Sequence, residues 1–522
     1  MSRRRFLSRG AAAAGGMILR APALVRAEAS LPSVAWGAQV GDVTLDPAAP
    51  AGAPGAAAVV WSRTDRPARL HLEWSTTESF TDARRVVGPA ALEDTDFTAQ
   101  LDLRGLPSGE TIVYRVAFQD LRDLRRFSGP VLGRFRTPSH GARDAVLAWS
   151  ADTCGQGYGI NLEWGGLRMY ETLRRAEPDV FLHCGDTVYA DNPLVPELAL
   201  GEGKVWKNLV AETKDHVAES LDDFRGNWRY NLLDLNARRF NAEVPLVLQW
   251  DDHEVRNNWY PTQVLEDPRY TEKSVALLAA RAKRAFFEYS PLRRDPVDSE
   301  RVYRALPLGP LVEVFVLDLR SYRGPNSPNR QGEAGDAAAI LGAAQLRWLG
   351  ERMAASKAVW KVVACDMPMG LVVADGATDF EAVAQGDPGP PLGRELEIAS
   401  LLRTLKQRRV RNVVFVTGDV HYAAAHHYDP ARARFTEFLP FWEFVAGPLH
   451  AGTFGPAVLD PTFGPEVRFL GIPPGMKPNR PPSEGLQFFG LLRVDAKSRV
   501  LIAELRNLAG ERIYSVELPP AA

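Results

Sequence analysis

Short apolar runs alternate with longer amphipathic segments from residue 145 to the C-terminus. The runs have the length of buried strands, at residues 146–150, 179–184, 245–250, 312–317, 359–364 and 412–417. The segments between them have helical spacing, at 165–177, 272–289, 343–355 and 395–407, and 194–243 is predicted as a charged, helical excursion. Residues 486–494 and 500–518 predict strands that close a sheet. This alternation predicts a layered α/β domain over residues 144–522.

The pattern before residue 138 is different. Runs at 59–61, 69–74, 111–118 and 134–136 have strand character, several of them alternate polar and apolar residues, and turns rich in Gly, Pro and Asp separate them. About 100 residues of this kind predict a β-sandwich. The segment 103–116 resembles the corner of fibronectin type III modules. We therefore expect a small all-β, fibronectin-III-like domain at 30–138, with no chemistry of its own.

The first 29 residues have the layout of an export signal. Arg3 and Arg4 form a twin-arginine pair, an apolar Ala/Gly-rich segment follows at 10–19, and small residues at 25–29 offer a cleavage site. We predict a twin-arginine signal peptide at 1–29, the twin-arginine translocase as a transient partner, and a bacterial protein that works in the periplasm or is secreted.

Composition excludes several classes of function. The 522 residues exceed what one hydrophobic core usually organises, so two or more domains are expected. A net charge of −2 argues against dedicated nucleic-acid binding, and after the N-terminus no apolar stretch is long enough to span a bilayer. Three cysteines cannot form a disulfide framework. Cys184 and Cys365 lie in apolar runs and are predicted core residues, whereas Cys154 follows a strand.

Four predicted strands end in side chains that bind metals. The first run is followed by Asp-Thr-Cys, the second by Gly-Asp-x-x-Tyr, the third by Asp-Asp-His-Glu and the sixth by Gly-Asp-Val-His. One such strand end could be a helix cap, but several buried carboxylates at one edge repel one another unless a cation neutralises them. A metal site is therefore the economical interpretation. The single Gly-Asp-x-x-Tyr motif, taken alone, is equally typical of a turn.

The same motifs resemble those of the calcineurin-like metallophosphoesterases, and within them the PhoD-type alkaline phosphatases. The similarity rests on Trp-Asp-Asp-His-Glu-x-x-Asn-Asn at 250–258, Leu-Asp-x-Arg-x-Tyr-Arg at 317–323 and Gly-Asp-Val-His at 418–421. It implies a four-layer β-sandwich flanked by helices. Two departures stand out. Members often have Ser-Cys-Gln where this chain has Asp152-Thr-Cys154, and Cys365-Asp366 replaces the expected Asn-Gln or His.

The resemblance implies a binuclear site. Asp186 would bridge two metals, with Tyr189, His421 and either Cys154 or Asp152 around the first. The second metal would be held by Asp252, Asp419 and Asp366. Phenolate, imidazole and thiolate suit a transition ion, and an all-oxygen shell suits a hard cation. Fe³⁺ with Ca²⁺ is what the resemblance implies, and Zn²⁺, Mn²⁺ and Mg²⁺ are the alternatives.

Other motif residues are predicted to act on the substrate. His253 would protonate the leaving group or stabilise the transition state, and Glu254 would hold His253 or a ligand. The predicted phosphate contacts are Arg256, Asn257, Asn258 and Arg323. Arginine and asparagine also cap helices and tie loops, so a structural role for these four residues is about as expected as phosphate contact.

The expected function is that of an exported phosphoesterase that uses metal-activated water on phosphate mono- or diesters. The substrate class remains open among nucleotides, phospholipids and wall polymers. One alternative is a phospholipase D-like phosphodiesterase of the same family, and another is a catalytically inactive metal-binding protein. A redox protein, which the possible iron and Cys154 suggest, is disfavoured by the oxygen-rich second site.

Overall fold

The computed structural model describes residues 30–46 and 55–521. The described residues from Pro32 onward form one compact unit. The predicted signal peptide lies outside the described residues, so it stays a prediction. None of the helices in the described ranges has the length and apolar character that a bilayer-spanning helix requires.

The described residues before 138 form seven strands. They are β1 (Val34–Leu45), β2 (Ala56–Thr64), β3 (Ala68–Ser75), β4 (Arg84–Ala91), β5 (Thr98–Leu106), β6 (Thr111–Asp120) and β7 (Val131–Arg136). Strands β4-β3-β6-β7 form a separate antiparallel sheet. Strands β1, β2 and β5 instead extend the main sheet of the following region, where Gly41 of β1 lies opposite Leu246. The predicted boundary at 138–144 falls in the connection after β7.

The remaining chain alternates strands and helices as the apolar pattern predicts. Its strands are β8 (Ala145–Ser150), β9 (Val180–Cys184), β10 (Glu197–Gly201), β11 (Lys204–Lys207), β12 (Leu246–Gln249), β13 (Arg304–Pro307), β14 (Val312–Val316), β15 (Trp360–Ala364), β16 (Leu371–Val372), β17 (Ala374–Asp375), β18 (Asp379–Phe380), β19 (Val413–Thr417), β20 (Ala424–Tyr428), β21 (Phe441–Val445), β22 (Val458–Leu459), β23 (Pro465–Leu470), β24 (Phe488–Val494), β25 (Leu501–Asn507) and β26 (Arg512–Leu518). Its helices are α1 (Arg168–Arg175), α2 (Leu221–Asn231), α3 (Leu235–Glu243), α4 (Val275–Tyr289), α5 (Gly342–Ala355) and α6 (Glu395–Gln407).

Two sheets face each other in the middle of this region. One has nine strands in the order β26-β25-β24-β8-β9-β12-β1-β2-β5, and the other has seven in the order β13-β14-β15-β19-β21-β20-β23. A core of apolar side chains lies between them, including Leu147 and Leu182 of the first sheet and Val314 and Val414 of the second. Because β8, β9 and β12 are parallel to one another, as are β14, β15, β19 and β21, their carboxyl ends meet at one edge.

Helices cover the outer face of each sheet. Buried residues of α1 to α4, such as Leu173 and Phe240, pack with Phe181 on the nine-stranded sheet. Buried residues of α5 and α6, such as Leu349, pack with Phe415 on the seven-stranded sheet. The layers are therefore helix, sheet, sheet and helix, as the four-layer prediction expects.

The prediction of a wholly helical excursion at 194–243 is wrong in its first part. Residues 197–207 form the hairpin β10–β11, with Glu197 opposite Lys207. Gly201 and Gly203 adopt left-handed backbone angles at its turn, which glycine does without steric cost. Helices α2 and α3 then follow, and the side chain of Ser220 caps α2.

Candidate metal centre

The four motif segments follow β8, β9, β12 and β19 and lie together at the shared edge of the two sheets. Asp152, Asp186, Asp419 and His421 all have positive φ angles, between 53° and 67°. Such angles are uncommon for residues other than glycine, and they turn the chain sharply after β8, β9 and β19. A Cβ at Gly185 would lie 2.3 Å from the Cβ of Asp251, so only glycine allows β9 to end beside the third motif.

Ligand atoms from these segments form three clusters. In each cluster one atom per residue lies within 4.8 Å of the others. The clusters consist of Asp152, Asp186 and His421; of Asp186, Asp252 and His253; and of Asp251, Asp252 and Asp419. Asp186 belongs to the first two and Asp252 to the last two. The shared membership of Asp186 is the arrangement that a bridging carboxylate requires.

Tyr189 completes the first cluster. Its Oη lies 2.8 Å from Nε2 of His421 and its side chain is fully buried. The Nδ1 of His421 lies 2.6 Å from the carbonyl oxygen of Gly452, so Nδ1 donates there and Nε2 keeps its lone pair on the Tyr189 side. Burial lowers the pKa of His421 to about 4, which keeps the imidazole neutral. A neutral imidazole is the form that ligates a metal.

The electrostatics of the cluster fit a bound cation. Both carboxylate oxygens of Asp152 and Oδ1 of Asp252 are buried without a hydrogen-bond donor. Burial and neighbouring carboxylates raise the pKa of Asp152, Asp186 and Asp419 well above the usual range. Carboxylates in this state resist ionising together unless positive charge is supplied. The donor set of carboxylates, a phenol and an imidazole therefore fits a di- or trivalent metal.

Two predicted ligands lie elsewhere. The thiol of Cys154 belongs to the apolar cluster under α1 and α2, and burial raises its pKa far above the ordinary value. Asp152 from the same motif lies in the cluster instead, since the turn after β8 directs the two side chains differently. Asp366 is fully buried behind the site, where its Oδ1 accepts from Gln249, and it joins none of the three clusters. Neither Cys154 nor Asp366 therefore joins the three clusters, although both are predicted ligands.

His253 is held in a fixed orientation at the edge of the second cluster. Its ring stacks on Tyr189 with centroids 4.2 Å apart, and its Nδ1 lies 2.7 Å from Oδ1 of Asp191. Its backbone N–H donates to Oδ1 of Asp186. Burial alone would lower the pKa of this imidazole, but the carboxylates of Asp191 and Asp252 raise it to about 9. These carboxylates therefore favour the protonated imidazole, and its Nε2 lies 4.0 Å from Oδ1 of Asp252.

Glu254 supports the metal-binding loops rather than His253. Its carboxylate accepts hydrogen bonds from the backbone N–H groups of Asp186, Thr187 and Asp251. These three bonds connect the loop after β9 to the loop after β12. Glu254 thus fixes the position of Asp186, which was one of its two predicted roles.

The predicted phosphate contacts divide into two pairs. Asn257 and Asn258 line the cleft above the clusters, and the Asn258 N–H donates to Oδ2 of Asp252. Arg256 does not line this cleft and donates to Gln263. Arg323 is buried beneath the site and donates to the carbonyl oxygen of Glu381. Neither arginine therefore lines the cleft, although both are predicted phosphate contacts, and each donates to a protein group instead.

The cleft has a volume of about 330 Å³. Its floor consists of motif residues, and its walls are largely apolar. The apolar part of the lining comes from Val372, Val373 and Ala374, and from Phe454 to Ala457 with Tyr422. None of the described lining residues is a lysine or an arginine. A charged group of a substrate would therefore contact charged side chains only at the floor of the cleft.

Sequence reasoning missed four charged residues of the site. Asp191 lies two positions after Tyr189, so it is visible next to the second motif. Its contact with His253, which is 62 residues away, cannot be predicted from that position. Asp251 was treated as part of a motif without a role. Arg320 lies in the motif at 317–323 but was passed over in favour of Arg323. Glu381 has no motif around it and could be found only from the fold.

Comparisons with known proteins agree with this architecture. Residues 147–505 match the family model of the PhoD-like phosphatase, and residues 20–139 match that of its N-terminal domain. Alkaline phosphatase D of Bacillus subtilis (strain 168) is 29% identical over 311 residues, which cover 57% of this chain and 50% of that protein. The match therefore spans about half the length of this curated relative.

Two solved structures share the fold. The structure of PhoD has a TM-score of 0.65 at 20% identity, over 96% of this chain and 90% of that one. The purple acid phosphatase PPD1 from yellow lupin (Lupinus luteus) seeds has a TM-score of 0.54 at 11% identity, over 92% and 74%. At these identities the likeness concerns the fold, and it confirms the predicted metallophosphoesterase-like architecture.

Proposed function

Because the chain belongs to the PhoD-like phosphatase family, we propose that it is a metal-dependent phosphoesterase that hydrolyses phosphate mono- or diesters. The observation that carries this proposal is the place of Asp186 in two adjoining clusters of ligand atoms, with His253 fixed beside them. A single structural metal site would have no use for a shared carboxylate or for a histidine held at its edge by a second buried carboxylate.

We assign the ligands from the donor atoms. Asp152, Tyr189 and His421 would hold one metal, Asp252 and Asp419 the other, and Asp186 both. Two bound ions would supply a water of lowered pKa and positive charge for the phosphate oxygens. Phenol and imidazole at the first site favour Fe³⁺, and the oxygen-only second site favours Ca²⁺. Zn²⁺, Mn²⁺ and Mg²⁺ are the alternatives.

The chain's own residues would orient the ester and handle the proton. The apolar walls of the cleft would receive the organic part of the substrate, which leaves the phosphate toward the floor. Asn257 and Asn258 line the cleft, and Nδ2 of Asn258 donates to Oδ1 of Asp375, which leaves its second hydrogen and the Asn257 amide for phosphate oxygens. His253 carries its proton on Nε2 while Asp191 accepts from Nδ1, so Nε2 can protonate the departing alcohol. Deprotonated His253 would then recover its proton from solvent.

The cellular location in which the protein acts is proposed from the sequence alone. The arginine pair Arg3–Arg4 and the following apolar segment support export through the twin-arginine translocase to the periplasm or the medium. Immunodetection of the protein in cell fractions, with Arg3→Lys/Arg4→Lys as the comparison, tests this. Equal export of the variant would contradict the assignment.

Turnover of p-nitrophenyl phosphate and bis-p-nitrophenyl phosphate by protein loaded with Fe³⁺ and Ca²⁺ tests the function. Release of nitrophenol from either ester, lost on chelation, supports a phosphoesterase. Exclusive action on the diester would favour the phospholipase D-like alternative. Absence of turnover with full metal occupancy would favour the inactive metal-binding alternative and contradict the proposal.

A further inference from the structure

Asp375 connects the hairpin β17–β18 to the floor of the cleft. Its half-buried carboxylate accepts hydrogen bonds from two side-chain amides. Oδ1 lies 3.1 Å from Nδ2 of Asn258, and Oδ2 lies 2.7 Å from Nδ2 of Asn326. The described residues that line the cleft include Asn258 and do not include Asp375. Asp375 would therefore act on a substrate only through the amide that it holds.

Asn258 is fixed through its backbone as well. Its φ angle is 56°, in the left-handed region that asparagine tolerates better than most residues. Its N–H donates to Oδ2 of Asp252 at 2.6 Å, and its carbonyl oxygen accepts from Nδ2 of Asn326 at 2.8 Å. The residue that contacts the proposed metal ligand Asp252 thus also presents an amide to the cleft.

Two buried arginines determine which way the amide of Asn326 points. Its Oδ1 accepts from Nη2 of Arg323 at 3.0 Å and from Nη2 of Arg394 at 2.9 Å. Since a guanidinium only donates hydrogen bonds, this end of the amide has to be the oxygen. The two hydrogens of Nδ2 then go to Asp375 and to the carbonyl oxygen of Asn258. Asn326 therefore holds both partners in one arrangement.

The hairpin is held against the same segment of the chain. The N–H of Phe380 donates to the carbonyl oxygen of Ser327 at 2.9 Å, and the Phe380 carbonyl oxygen accepts from Nη1 of Arg394 at 2.8 Å. Asp375 lies in the other strand of the hairpin, opposite Asp379. These bonds give the Asp375 carboxylate a fixed place relative to the floor.

The direction of the Asn258 amide follows from its partner. A carboxylate accepts hydrogen bonds, so the Nδ2 end of Asn258 has to face Asp375. One Nδ2 hydrogen forms that bond, and the second is left for a group in the cleft. No lysine or arginine is among the described lining residues, so an amide N–H is one of the donors that this cleft offers to an anion.

We propose that Asp375 is a positioning residue for phosphate binding, which holds the Asn258 amide so that its second Nδ2 hydrogen is directed at a phosphate oxygen. This inference rests on the proposed function, because it concerns the phosphate of the same ester. A hydrogen bond from an amide to a phosphate oxygen is charge-assisted and stronger than one between neutral groups. Loss of Asp375 should therefore weaken phosphate binding and leave the metals in place.

Calorimetric titration of the metal-loaded protein with inorganic phosphate tests this without turnover. We expect Asp375→Asn to raise the Kd for phosphate about tenfold, the size of one hydrogen bond to a charged group. In this variant the new amide nitrogen would face another Nδ2, donor against donor. The ions counted by mass spectrometry should match those of the wild type. KM for p-nitrophenyl phosphate should rise with the Kd, and kcat should change little, because Asp191 still holds His253.

Asp379→Asn is the matched control. Asp379 is half-buried and lies opposite Asp375 in the same hairpin, but its Oδ1 accepts from Oγ1 of Thr378 in the turn. This variant should bind phosphate as the wild type does. Equal weakening by both substitutions would indicate a general effect of the hairpin and overturn the assignment to Asp375.

A double-mutant cycle separates positioning from a loss of structure. Asn258→Gly removes the amide, and glycine adopts the positive φ angle of this residue without steric cost. If Asp375 acts through Asn258, Asp375→Asn/Asn258→Gly should bind phosphate no more weakly than Asn258→Gly alone, since both changes remove the same interaction.

Three results would overturn the proposal: losses that multiply in the double variant, an unchanged Kd in Asp375→Asn, and a wild type that does not bind phosphate. Turnover of p-nitrophenyl phosphate by the wild type is measured separately. A wild type that binds phosphate, shows the expected cycle and does not hydrolyse the ester would contradict the proposed function and leave the role of Asp375 standing.

Discussion

The Nδ1 atom of His253 lies 2.7 Å from Oδ1 of Asp191, and both side chains are at most 6% exposed. The second oxygen of Asp191 accepts from the Asn257 N–H, so the carboxylate is fixed at both ends. The pair determines which ring nitrogen of His253 is available to a substrate.

Asp191→Asn should therefore lower kcat by about 10- to 100-fold, the usual effect of removing a residue that orients an active group. The ion count should not change, because Asp191 belongs to none of the three clusters. Steady-state kinetics with parallel metal analysis checks both. Asp215→Asn is the matched control, since Asp215 pairs with His216 at 2.6 Å on the surface. Equal effects of the two variants would contradict the orienting role.

His253→Ala should lower kcat by about 10²- to 10⁴-fold, the range for a general acid. The loss should be smaller for esters of acidic phenols, whose alcohols leave without a proton. A series of aryl phosphates of graded phenol pKa measures this dependence. The same loss across the series would indicate that His253 binds the ester and does not protonate the leaving group.

Tyr189→Phe should remove the visible tyrosinate-to-metal band of an Fe³⁺-loaded protein without emptying the second site. Mild chelation of Ca²⁺ should abolish activity reversibly and leave that band in place, because flexible oxygen sites release Ca²⁺ readily. Absorption spectra and ion counts measure the two effects. Tyr170→Phe is the control, since this buried phenol contacts Thr153 at 3.2 Å outside the clusters. Two zinc ions and no band in the purified protein would contradict the unequal-metal assignment.

The motif spacing and the apolar runs were sufficient to predict the helix and sheet layers and the strand ends that form the metal centre. They could not choose between Asp152 and Cys154, because the positive φ angles after β8 decide which side chain reaches the cluster. Asp191 and Arg320 were missed for a related reason. Their charged partners lie 62 and 69 residues away in the chain, and sequence gives no direction to a side chain. The Gly-Glu-Gly sequence at 201–203 is typical of a hairpin turn and could have predicted β10–β11. The charged residues around it favoured a helical interpretation instead.

The apolar cleft walls should influence which esters react. Val373→Ser removes apolar surface from one wall, so kcat/KM for naphthyl phosphate should fall about fourfold, the worth of one buried methylene. The value for glycerol phosphate should change less, because its alcohol is polar. Val297→Ser, at a side chain that is 94% exposed, is the control. An equal change for both esters would mean that this wall does not contact the leaving group.

The central claim is that Asp186 serves two metal ions at once. Metal analysis of Asp186→Asn by mass spectrometry tests it most directly, with Asp234→Asn as the control because this buried carboxylate caps α3. We expect Asp186→Asn to lose most of both ions and all turnover of p-nitrophenyl phosphate, while Asp234→Asn retains two ions. Full occupancy of both sites in Asp186→Asn would contradict it.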